Sequence, residues 1–74
     1  MSNIKTDHIQ IVVNGVSRSV SDGTSVVDLL GHLGIPPDRV AIELNGAILK
    51  KQDWPATPVR AGATLEIVQF VGGG

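Results

Sequence analysis

Two Asn-Gly dipeptides, Asn14-Gly15 and Asn45-Gly46, constrain this chain more than any other feature. Each closes a run in which apolar residues alternate with others. Ile9, Ile11 and Val13 alternate with His8, Gln10 and Val12 before the first; Val40, Ile42 and Leu44 alternate with Ala41 and Glu43 before the second. A period of two is the mark of a strand with one buried face. Asn-Gly between such runs is the strongest short hairpin signal, because a type I′ turn needs positive φ at both central residues. The chain therefore holds two hairpins, with return strands over Val16 to Val20 and at Ile48-Leu49.

Between the hairpins the period changes. Val26, Leu29, Leu30 and Leu33 sit at i, i+3, i+4 and i+7, one face of a helix. Thr24 or Ser25 can cap its start, and Ser25 with Asp28 forms an S-x-x-D variant of the capping box. Gly34 suits the left-handed position after the last turn, and Pro36-Pro37 prevents continuation. Gly31 lies inside the helix, where its missing Cβ would permit close approach to a sheet. "QDWPATPVRAG" reads as a proline-containing loop with a short 3₁₀ turn and Trp54 as a lid on the core, and "TLEIVQFV" reads as the last strand.

The order is hairpin, helix, strand, short hairpin, loop, strand. A helical crossover implies that the strand after it lies parallel to one before it. The fold class that fits is α+β: a mixed β-sheet with one main α-helix packed across one face, the ubiquitin-like β-grasp. The expected organisation is a flexible N-terminal extension at 1–7, a β-grasp domain at 8–71 and a flexible glycine tail at 72–74.

Composition narrows the function. There are no cysteines among the 74 residues, which removes disulfides, thiolate metal sites and thiol nucleophiles. Lys and Arg number 6 against 7 Asp and Glu, and no basic cluster stands out, so a nucleic-acid face is not expected. One Phe, one Trp and no Tyr leave no base-stacking platform. "MSNIKTDHIQ" lacks the apolar core of a signal peptide, and no run reaches the ~18 apolar residues of a membrane span. A cytoplasmic location is expected, with no membrane partner.

No catalytic constellation emerges. His8 and His32 are the only histidines and read as surface groups, with no metal site expected. The carboxylates are spread over turns, caps and strand faces, so no pair presents itself as acid and base. Ser17, Ser19, Ser21 and Ser25 have no base beside them, and "SDGTS" is not a phosphate loop. Lys50-Lys51 reads as a solvated edge.

The end of the chain says more. In "EIVQFVGGG", alternation places Leu65, Ile67 and Gln69 on one face and Glu66, Val68 and Phe70 on the other. If Leu65 and Ile67 are core, Val68 and Phe70 lie on the solvated face beside Val71 and the tail. Such a patch marks a partner surface. The alternative is a twist or bulge that returns Phe70 to the core. Gly72, Gly73 and Gly74 carry no side chains, so they can lie extended in a narrow channel and present an α-carboxylate to another protein's active site. The other reading of the tail is a terminus without a role.

These residues resemble the ThiS sulfur carriers of thiamin biosynthesis. The resemblance rests on "VVNG", "GTSVVDLLGHLGI", "VAIELNGAILKKQDWPATPV" and, most specifically, "LEIVQFVGGG". Ala61-Gly62-Ala63 departs from it, since the family usually has an acidic residue beside that glycine; the departure falls in a turn. The resemblance implies a protein co-substrate, not an enzyme, and a monomer. A ThiF-type, E1-like adenylyltransferase would activate the Gly74 carboxylate with ATP; the chain itself would bind no cofactor. A desulfurase system would supply sulfur from cysteine, and a ThiG-type thiazole synthase would accept it from the Gly74 thiocarboxylate. Gly72 and Gly73 would give passage, with Phe70, Val71 and Val68 at the partner interface. Two alternatives share the architecture: the MoaD-type small subunit of molybdopterin synthase, and a ubiquitin-like modifier or binding module.

Overall fold

The computed structural model describes residues 7–70. Strand β1 (His8–Val13) and strand β2 (Val16–Ser21) form the first hairpin, and helix α1 (Val26–Leu33) follows. A 3₁₀ turn (Pro37–Arg39) leads into β3 (Val40–Leu44) and β4 (Ala47–Leu49), the second hairpin. A longer 3₁₀ segment (Lys51–Ala56) precedes β5 (Thr64–Gln69). The five strands lie in the order β2-β1-β5-β3-β4. The last strand thus enters between the two hairpins. It runs parallel to β1 and antiparallel to β3. The parallel pair joins β1 to β5, while β3, the first strand after the helix, neighbours neither β1 nor β2.

Both Asn-Gly turns carry positive φ at both central residues: 50° and 81° at Asn14 and Gly15, 52° and 86° at Asn45 and Gly46. That is the condition a type I′ turn imposes. The registers follow directly, with Val13 opposite Val16 and Leu44 opposite Ala47. The first return strand runs one residue further than its sequence pattern, to Ser21, because Asp22 N–H reaches back to the carbonyl of Asp7 at 2.8 Å.

Helix α1 starts at Ser25, whose hydroxyl accepts from Asp28 N–H at 3.1 Å. It ends at Gly34 in the left-handed region, φ 72°, with Ile35 N–H bonded to the Leu30 carbonyl at 2.9 Å. Its buried residues are Val26, Leu29 and Leu30. They close over Ile11, Val13, Ile42, Leu65 and Ile67 from the sheet. Gly31 plays no part in that approach: a Cβ added there would meet nothing within 4 Å. The close-approach expectation is therefore wrong, because Gly31 sits on the outer side of the helix, exposed.

The proline loop completes the core. Trp54 is buried, and its Nε1–H donates to the Leu49 carbonyl at 3.1 Å, so the indole closes the core beside β4 with its polar atom satisfied. Val59 is fully enclosed as well. It is fastened to the helix entry, Val59 N–H to Thr24 carbonyl at 2.8 Å and Val26 N–H to Thr57 carbonyl at 2.9 Å. Among the described residues, no buried side-chain nitrogen or oxygen lacks a partner.

Candidate functional site

Strand β5 is the element from which a site at the chain end must be built. Its alternation is as the sequence suggests: Leu65 and Ile67 are buried, while Glu66 and Val68 on the other face are exposed; Gln69, on the face of Leu65 and Ile67, is exposed where the strand ends. Phe70 is 58% exposed and Val68 is 56% exposed, so no bulge folds the phenyl ring inward. The reason is the ladder to β3. Val68 stands opposite Ala41 and Gln69 opposite Val40, and Phe70 N–H still donates to the Arg39 carbonyl at 2.8 Å. Regular pairing to the last described residue keeps the period of two and sends Phe70 outward.

The outer face of the sheet carries a further strongly exposed apolar group that the sequence pattern did not single out. Ile48 is 76% exposed. Its register explains this: Ile48 pairs with Glu43, and Glu43 with Glu66, an outward-facing row. The signal was present in the second hairpin, since alternation from Leu44 through the two-residue turn puts Ile48 on the face opposite Leu49. Ile48, Val68 and Phe70 thus flank a central pair of carboxylates. Like charges directly opposite are mildly unfavourable in a sheet.

Two asparagine side chains fasten β5 at its two ends. Asn45 Oδ1 accepts Thr64 N–H at 2.9 Å, at the start of the strand. Asn14 holds the other end with both halves of its carboxamide: Oδ1 accepts Ile67 N–H at 2.7 Å and Nδ2 donates to the Ile67 carbonyl at 3.1 Å. Sequence reasoning used these asparagines only for their turn conformation. Their second role depends on which strand lies beside each turn, and no local pattern carries that.

Of the remaining candidates, Val71, Gly72, Gly73 and Gly74 lie outside the described residues, as do residues 1–6 of the expected extension at 1–7 and the tail's expected flexibility. His8 and His32 line one open cleft of about 220 Å³ with Ser19, Val20 and Ser21. No group of three His, Cys, Asp or Glu suited to holding a metal exists among the described residues. No helix there is long and apolar enough to cross a membrane.

A five-stranded mixed sheet crossed by one helix, with an apolar, outward-facing strand end before the last residues, defines a ubiquitin-like β-grasp domain. The chain belongs to the ThiS family, whose model matches residues 9–74. It is similar to the crystal structure of the thiamine biosynthesis protein ThiS from Geobacter metallireducens, with a TM-score of 0.77 and 33% identity, over 89% of this chain and all of that one. It is 41% identical over 66 residues to a thiazole synthase of Paramagnetospirillum magneticum, covering 89% of this chain and 20% of that protein. A thiazole synthase of Magnetococcus marinus is 33% identical over the same coverage. The chain thus spans about a fifth of the length of these thiazole synthases. An uncharacterized protein, ycf40, of Porphyra purpurea is 33% identical over 90% of this chain and 94% of its own length.

Proposed function

We propose that this chain is a sulfur carrier for thiazole formation in thiamin biosynthesis, with Gly74 as the loaded residue. The observation that carries the reading is the end of β5: a regular, doubly held strand delivers exposed Val68 and Phe70 next to Val71-Gly72-Gly73-Gly74. The family match running to residue 74 supports it. Side-chain-free residues suit a narrow active-site channel, and an exposed apolar patch suits the surface around its mouth.

The chemistry belongs to partners. A ThiF-type adenylyltransferase joins the Gly74 carboxylate to the α-phosphate of ATP and releases pyrophosphate. A persulfide from a desulfurase system then displaces AMP to give an acyl disulfide, and a thiol reduces this to the Gly74 thiocarboxylate, leaving a disulfide on the sulfur donor. The chain is a co-substrate here and needs no cofactor of its own. Resemblance to part of two thiazole synthases supports a ThiG-type synthase as the acceptor of that sulfur. The outer sheet face, with Ile48, Val68 and Phe70 around Glu43 and Glu66, is where we place the docking of an apolar partner surface bearing a basic group.

Intact-mass measurement tests this. The protein is incubated with ATP, a ThiF-type enzyme and a sulfur source. The expected outcome is exchange of one oxygen for sulfur, lost when Gly74 is deleted. A chain that keeps its carboxylate with every ThiF-type enzyme offered would sink the reading. A loaded chain that drives dithiolene formation and not thiazole formation would transfer it to the MoaD type.

A further inference from the structure

We propose that Asn14 is a positioning residue for the tail: its carboxamide stands in for a missing strand residue and fixes the end of β5 that precedes Val71 to Gly74. The proposal rests on the carrier reading and deepens it.

The parallel ladder between β1 and β5 advances two residues at a time. Val12 N–H donates to the Ala63 carbonyl at 2.9 Å, and Asn14 N–H to the Leu65 carbonyl at 2.9 Å. The next rung falls at Ile67, but the backbone of β1 is no longer there, because Asn14-Gly15 has turned the chain away into β2. The side chain of Asn14 fills the gap. A carboxamide has the donor and acceptor of a peptide group, and both engage Ile67. From Ile67 to Phe70 the strand is therefore paired on one side with β3, and on the other the Asn14 side chain bonds Ile67. Remove it, and Ile67 loses both main-chain partners on that side. The strand end would then sample more conformations, and a partner would have to reorder it at each encounter.

Asn45 supplies an internal control. It has nearly the same φ, also precedes a glycine and also bonds β5, but at Thr64, the end remote from the tail. Glycine tolerates positive φ, so Asn→Gly removes either carboxamide while leaving the turn. A purely structural role would make Asn14→Gly and Asn45→Gly equivalent for partner enzymes. A positioning role makes them different.

The experiment measures ATP-dependent activation of the full chain by a ThiF-type enzyme, with carrier concentration varied. Folding is checked by circular dichroism and amide exchange is read by NMR. Asn14→Gly should raise KM for the carrier about tenfold, the scale of reordering one residue's backbone, with kcat within about twofold. Ile67 N–H should exchange faster while Thr64 N–H does not. Asn45→Gly should reverse the exchange pattern and leave KM within about twofold of wild type. Asn14→Asp, which keeps the acceptor for Ile67 N–H and lacks the donor, should fall between wild type and Asn14→Gly. It also serves if Asn14→Gly folds poorly. Equal KM changes in Asn14→Gly and Asn45→Gly, or none in either, would overturn the positioning role, as would unchanged exchange at Ile67 in Asn14→Gly. A wild-type chain that is not activated at all would instead overturn the carrier reading, and the positioning role with it.

Discussion

Asn14-Gly15 and Asn45-Gly46 adopt nearly the same backbone, and the two asparagines use their side chains on the same strand. They differ in where and how they hold it. The Asn45 side chain takes one N–H, Thr64, at the start of β5, while the Asn45 backbone N–H donates to the Thr64 carbonyl at 2.8 Å; the Asn14 side chain alone takes both main-chain groups of Ile67 nearer the other end. The same dipeptide thus closes two local turns and pins one distant strand at two points. Because β5 enters between the hairpins, its position is set from both sides, and its last residues are regular up to Phe70. The difference teaches that a turn residue chosen for its φ can take on a tertiary task decided by its neighbour.

The largest expected effect removes what the two hairpins share. Leu65 is 1% exposed and lies between both fastenings, opposite Val13 on one side and Leu44 on the other. Leu65→Ala should cost about 2–5 kcal/mol in urea unfolding. A loss below ~1 kcal/mol would mean that β5 is held mainly by the asparagines and not by the core.

Next comes the direct contrast. Asn14→Gly abandons two part-buried hydrogen bonds to the buried strand residue Ile67, so about 1–3 kcal/mol should be lost. Asn45→Gly should lose less, about 0.5–1.5 kcal/mol, since Thr64 is exposed. Equal losses by chemical denaturation would erase the asymmetry.

Much of this molecule was legible in the sequence, for physical reasons that also mark the limits. Alternation and Asn-Gly turn chemistry are local, so β1 through β4 and the inward set Ile11, Val13, Ile42 and Leu65 could be read directly. Ser25 and Gly34 bounded the helix because capping is local too. The strand order was only partly accessible: the crossover pointed to the strand directly after the helix as the parallel partner of an earlier one, whereas the hydrogen-bonded parallel pair is β1 with β5. The Asn14 contact joins residues 53 apart, and its existence depends on that order. The error at Gly31 has the same root, since a helix pattern shows which face is apolar but not how closely the sheet approaches.

Gly31 offers a smaller test outside the hairpins. Its added Cβ meets open space and its φ is not in the left-handed region, so Gly31→Ala should stabilise the protein by about 1 kcal/mol. Gly46→Ala, at φ 86°, should destabilise it. If both substitutions acted in the same direction on the thermal midpoint, the assignment of the turns would be at fault.

The smallest effect on stability should come from Phe70→Ala, within about 0.5 kcal/mol, because the ring is mostly in water. Its effect should appear in binding to the adenylyltransferase, measured by calorimetry. A large loss of stability with unchanged binding would return Phe70 to the core and remove it from the docking face.

The central proposal is that β5 is held in place up to Phe70 and that the chemistry takes place at Gly74. One added residue after Gly74 tests it most directly. The extended chain should unfold at the same urea concentration as the wild type, keep slow exchange at Ile67, and acquire no sulfur in the intact-mass assay with ATP, a ThiF-type enzyme and a sulfur source. An extended chain that gains sulfur while still carrying its extra residue would contradict the account.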